Sequence, residues 1–220
     1  MLLGHYAVAL ASKRVAPKAS LGTLVFAAQF ADLIWPMFLL IGWEQVRIVP
    51  GITRVTPLDF VGYPYSHSLL AQALWGFAIG AVYFGIRREP RSASVIALCV
   101  PSHWLLDYLV HRPDLPLVPG GRLYGLGLWN SLPATLAVEL SLFAIGIGFY
   151  LTGTRAKDRA GHYALWSLLI LLSLAYVGSI FGPPPPNERA IAVSALALWL
   201  IVPWAAWADR HRSTRTSRSI

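Results

Sequence analysis

Apolar residues along this chain gather into six long runs, at about 20–42, 67–86, 93–110, 131–152, 162–182 and 190–208. Each approaches the ~20 residues that a helix needs to cross a bilayer, so six spans are expected. A shorter apolar stretch, 1–12, ends at Lys13-Arg14. It is too short to span, and predicts a helix that lies at the interface or re-enters the membrane. No charged segment precedes it and a basic pair follows, the reverse of a secretory signal, so it is expected to stay attached. In the first long run Pro36 follows Asp32 by four residues. A proline there has no N–H for the Asp32 carbonyl, which predicts a kink at that point. Polar punctuation separates the runs. Residues 43–66 carry Trp43, Glu44, Asp59 and Gly62-Tyr-Pro-Tyr-Ser66, a turn with interfacial aromatic anchors. Residues 111–130 are rich in Pro and Gly and end where Asn130 or Ser131 caps a helix with Pro133 in its first turn. Pro183 to Pro186 predict a stiff polyproline turn.

The pattern predicts an all-α polytopic membrane helix bundle, a single domain over 1–208. Composition agrees, with 56% hydrophobic residues, 13% charged and a mean hydropathy of +0.56. Soluble domains carry roughly 25% charged residues. The net charge of +8 alone would admit a nucleic-acid partner, but the basic residues sit in short loops between spans, so none is expected. Thirteen fall on one side: Lys13, Arg14, Lys18, Arg87, Arg88, Arg91, Arg155, Lys157, Arg159, Arg210, Arg212, Arg215 and Arg218. Five, namely Arg47, Arg54, Arg112, Arg122 and Arg189, fall on the other. Lys and Arg beside a span resist translocation, so six spans with this split put both termini in the cytoplasm. Residues 209–220, rich in Arg and Ser, predict a disordered tail that rests on anionic membrane lipid. Cys99 is the only cysteine, which excludes an intramolecular disulfide and a cysteine-based metal site. No Walker loop, dinucleotide glycine fingerprint, Gly-x-Ser-x-Gly elbow or internal repeat is present.

Ionisable residues inside the apolar runs carry the functional signal, because a charge in hydrocarbon costs several kcal/mol by most estimates. His103 and Asp107 lie one helical turn apart on one face, and His111 continues that face. Such an i, i+4 pair ligates one ion from one helix, or equally satisfies itself by a hydrogen bond. Counted along the helices, Asp32, His103 and Asp107 fall in the outer half of the bilayer, with His67 and His111 nearer the outer interface. Glu139 is an acid well inside the fourth span and needs a partner, as an acceptor behind the site or a proton relay. Spans four to six are otherwise plainer, and the chemistry concentrates in residues 1–130.

Four motifs follow in order: Gly4-His5, Ala31-Asp32, Tyr65-Ser-His67-Ser and Ser102-His103-x-x-x-Asp107. In that order they resemble the YdjM-like inner-membrane metal-dependent hydrolases, over roughly the first half of the chain. The resemblance implies His5, Asp32, His67, His103 and Asp107 as metal ligands in an inner (cytoplasmic) membrane protein. Ile34 stands where the family has a second carboxylate, and the family's His-Arg-Gly run before His67 is missing. For His5 to join the others, a re-entrant first helix of about 12 residues, rising ~18 Å, has to bring it towards the midplane. The expectation is one divalent ion, Zn, Mn or Fe, that activates water against an ester or phosphoester of a lipid, lipid-linked or other small-molecule substrate. Asp32 or Glu139 would take the proton as the catalytic carboxylate. An ion- or proton-coupled transporter and a non-catalytic scaffold are the alternatives.

Overall fold

The computed structural model describes residues 1–215. The chain begins with α1 (Leu3–Val15), α2 (Leu21–Ala28) and α3 (Phe30–Leu40). An antiparallel hairpin, β1 (Gln45–Ile48) with β2 (Leu58–Gly62), leads into the single turn α4 (Pro64–His67). Helices α5 (Leu69–Arg87) and α6 (Pro90–Val110) follow, then the short pair β3 (Leu115–Pro116) and β4 (Leu123–Tyr124). A 3-10 turn at Leu128–Asn130 precedes α7 (Leu132–Gly153), β5 (Thr154–Ala156) and α8 (Arg159–Phe181). Helices α9 (Glu188–Ala195) and α10 (Leu198–Arg210) and strand β6 (Arg212–Thr214) complete the described chain.

Five stretches are long and apolar enough to cross a bilayer: α5, α6, α7, α8 and the Glu188–Arg210 stretch of α9 and α10. Helices α2 and α3 make a sixth if the two count as one broken span. Their outer faces carry large apolar side chains with no protein against them, such as Phe77 and Ile86, each 74% exposed. Such a surface is stable where hydrocarbon is the solvent, and helices are the elements that satisfy their own backbone there. The all-α membrane bundle read from the sequence is the architecture observed.

The break in the first span is not at the expected place. The 55° bend falls at Gln29, between α2 and α3, while Pro36 lies inside a continuous α3. Gln29 takes φ −100° and ψ 5°, ending α2, and Asp32 thereby enters the first turn of α3.

Helix α1 lies inside the bundle. It packs against α7, α2 and α6 with Leu3, His5, Tyr6, Ala9 and Leu10 buried. Gly146 of α7 permits the approach, since a Cβ there would lie 2.6 Å from both the Cα and the carbonyl oxygen of Ala7. Gly76 and Gly80 do the same between α5 and α6, against Ala97 and Ala93. Small residues at crossings are how membrane helices gain packing contact.

One end of the bundle gathers the basic loops. Lys13 Nζ at the end of α1 donates to Asp209 Oδ2 of α10 at 2.7 Å, and Lys157 Nζ donates to the Arg210 carbonyl. Met1 lies at the far end of α1, buried beside Asp107. The tail is also more ordered than expected. Helix α10 runs to Arg210, and β6 pairs with β5 in register Ala156 to Arg212. Positions 216–220, the rest of the expected disordered tail, lie outside the described residues. The opposite end carries both hairpins and the 3-10 turn, tied together by the Asp59–Arg112 ion pair at 2.6 Å.

Candidate metal centre

The five residues expected to ligate a metal come together under the hairpin end. Helix α6 supplies His103 and Asp107 on one buried face, as their spacing required, with His103 Nε2 3.1 Å from Asp107 Oδ2. Helix α1 brings His5 Nε2 to 3.1 Å from Asp107 Oδ1, with its ring stacked on His103 at a centroid distance of 3.5 Å. Asp32, in the first turn of α3, places Oδ1 3.7 Å from His103 Nε2 and 3.5 Å from His67 Nε2. His67 Nε2 also stands 4.0 Å from Asp107 Oδ2. Two sets of three, His5–His103–Asp107 and Asp32–His67–His103, each have ligand atoms within 4.8 Å of one another.

His111 belongs here too, although the resemblance did not include it. It terminates α6, its N–H donating to the Asp107 carbonyl at 2.8 Å, and its Nε2 lies 3.8 Å from Asp107 Oδ2. Its signal was the same one-turn spacing that joined His103 to Asp107. Burial pushes the His111 imidazole below its ordinary pKa, which favours the neutral, ligating form.

The protonation of three of these rings follows from what their other nitrogen meets. The Ala28 carbonyl ends α2, where helix carbonyls lack an amide partner, and sits 3.0 Å from His103 Nδ1. A carbonyl only accepts, so Nδ1 carries the proton and Nε2 the lone pair. His111 Nδ1 likewise donates to Asp114 Oδ1 at 2.9 Å, an oxygen that also accepts from the Tyr63 hydroxyl at 3.0 Å. His67 Nδ1 lies 2.6 Å from Ser66 Oγ, which lies 2.6 Å from Glu44 Oε2. An ionised Glu44 only accepts, so Ser66 donates to it and receives the His67 proton. Glu44 is buried, and its other oxygen accepts from the Tyr65 and Ser66 N–H groups, each at 2.8 Å. Burial raises the Glu44 carboxyl above the usual range, while these donated bonds favour the ionised form.

Three imidazole lone pairs therefore converge with two carboxylates. Acceptors facing acceptors at 3.1–4.0 Å repel unless a cation or added protons lie between them. Zinc-like bonds of ~2.0–2.1 Å in tetrahedral geometry put ligand atoms about 3.3 Å apart, close to the separations observed. The donor set fits a borderline divalent ion. His103 Nε2 is also a buried atom without a hydrogen-bond partner. The Met1 amino group supplies one positive charge nearby, donating to Asp107 Oδ1.

Glu139 stands behind the ligands. Its Oε2 accepts from the N–H groups of Leu2 and Leu3 at 2.9 and 2.7 Å, anchoring the start of α1. It lines the same cavity of about 300 Å³ as Asp32, His67, Asp107 and His111. Asp32 is the most accessible ligand, its side chain 23% exposed against 2% for Asp107. Sequence reading passed over Glu44, Ser66, Tyr63 and Asp114, which orient the rings. Only the adjacency of Ser66 to His67 hinted at any of them. No protein-family model, curated protein or solved structure matches the chain.

Proposed function

We propose that the chain is a membrane-embedded metal-dependent hydrolase, akin to the YdjM-like inner-membrane family, that cleaves an ester or phosphoester of a lipid or lipid-linked substrate. The observation that carries this reading is the set of imidazoles whose Nδ1 protons are given away, so that Nε2 lone pairs meet the Asp32 and Asp107 carboxylates at one point. A zinc, manganese or iron ion held there would lower the pKa of a bound water and polarise the ester. The protein residues have separable tasks. Asp107 supplies buried negative charge at the centre of His5, His67, His103 and His111. Asp32, open to the cavity, would take the proton from the attacking water. Trp35, Phe60 and Trp129 wall the cavity and limit bulk water. Glu139 keeps α1, and with it His5, in place.

Elemental analysis of protein purified in mild detergent tests the reading, with about one transition-metal ion per chain expected. A metal-free preparation would end it. Hydrolysis is then assayed as headgroup release from phospholipid vesicles, abolished by a chelator and restored by the metal. The broken α2–α3 span favours a second reading, an ion-coupled carrier, because interrupted helices frame transport sites. Metal-dependent proton flux in sealed liposomes would distinguish it.

A further inference from the structure

The lining of the cavity divides into a roof and a side wall. Its roof is the β1–β2 segment and the turn before α7. The Arg54 N–H donates to the Trp129 carbonyl at 3.0 Å, and Asp59 pairs with Arg112, so this roof is tied down. The side wall is formed by Ser179 and Ile180 of α8 and by Ala195 and Leu198 where α9 gives way to α10. Helix α9 packs on α3 and β1, whereas α10 packs on α8, so the wall stands where these spans diverge. Val177, Phe181 and Val193 beside it are 51–64% exposed. Where spans diverge in a bilayer, the space between them borders hydrocarbon. A second hollow of about 220 Å³ continues over Val55 and Ser179 to Arg54 at the rim. Arg54 is exposed and makes no ion pair among the described residues. At about 300 Å³, the cavity sits at the small end of the ~300–1,000 Å³ that drug-sized ligands fill. Only the reacting end of a lipid fits.

We infer that the cavity is loaded sideways from the bilayer, between α8 and the α9–α10 junction, by an amphiphile with an anionic phosphate headgroup. The headgroup passes Arg54 and reaches the histidine–aspartate cluster, while the acyl chain stays among the lipids beyond Ile180 and Leu198. The proposal deepens the hydrolase reading by naming the substrate class and its route, and its test does not depend on turnover.

The full chain is reconstituted in nanodiscs of phosphatidylglycerol and phosphatidylethanolamine with the photo-crosslinking substitution Phe60→p-benzoylphenylalanine, inside the cavity. The same substitution at Phe77, on the outer face of α5, gives the annular-lipid reference. Mass spectrometry should find phospholipid adducts at both positions. Plugging the gap with Ala195→Trp, or independently with Leu198→Phe, should lower the position-60 adduct at least tenfold relative to the reference. No adduct at position 60, or an adduct undiminished by either plug, overturns the lateral route. Release of headgroup and of fatty acid is measured separately. Capture without release of either leaves the route standing and defeats the hydrolase reading.

Discussion

Asp107 stands within 4.0 Å of four imidazole nitrogens, so its charge has more consequence than its volume. Asp107→Asn keeps the shape and removes the charge. Metal affinity should fall beyond the roughly 10–100-fold typical of losing a partner behind the ligands. Competition titration measures this, and unchanged affinity would mean the wrong carboxylate has been assigned. Glu139→Gln is the contrasting case, because Glu139 holds backbone N–H groups. It should retain the ion while losing about 1 kcal/mol, seen as a fall of roughly 2–4 °C in Tm. Glu44→Gln tests the orientation of His67. A Gln amide donates to Ser66 Oγ, which then donates to His67 Nδ1, and the ring proton moves to Nε2 where the ion would bind. A loss of about 10–100-fold in metal affinity is expected with the fold intact. Full affinity in this variant would show that Glu44 does not set the tautomer.

Helix α1 reaches the centre only because Gly146 lets it lie against α7. Gly146→Leu should expel α1, remove His5 from its stack on His103 and sharply weaken metal binding. Gly148→Leu, with open space around it, should leave binding and Tm nearly unchanged. Equal behaviour of the two variants in metal titration would refute this role for α1. The same element shows what could be read in advance. The His103–Asp107 pair was legible because one helical period fixes it, and the spans were legible because hydrocarbon demands long apolar runs. Proline as the local rule points to Pro36, whereas the bend falls at Gln29, where neither proline nor glycine stands. Glu44 meets Ser66 across a hairpin that doubles back over 22 positions, and no periodicity reports such a meeting. The tail read as disordered from its charge, yet β6 gains order from a strand partner 58 positions earlier.

The whole molecule has two unlike ends, one basic and clasped by β5–β6, the other roofed by hairpins over the centre. If that asymmetry orients the protein, reporters fused after Arg122 and after Arg159 should read opposite sides, outside and inside respectively. A shared side would contradict six spans. The long-range seat of α1 also bears on the order of assembly during synthesis. Leu3 is held by Glu139, 136 positions later. At ~5–20 residues per second, ribosomes need roughly 7–27 s to deliver that partner. Over that interval α1 has α2, and later α6, to lean on, but neither α7 nor its Glu139 anchor. His5 thus arrives at its final seat after Asp32, His67, His103 and Asp107 have all been made. The cluster is thus completed late in membrane insertion, and a chain stalled before α7 would remain in the membrane with its centre unfinished.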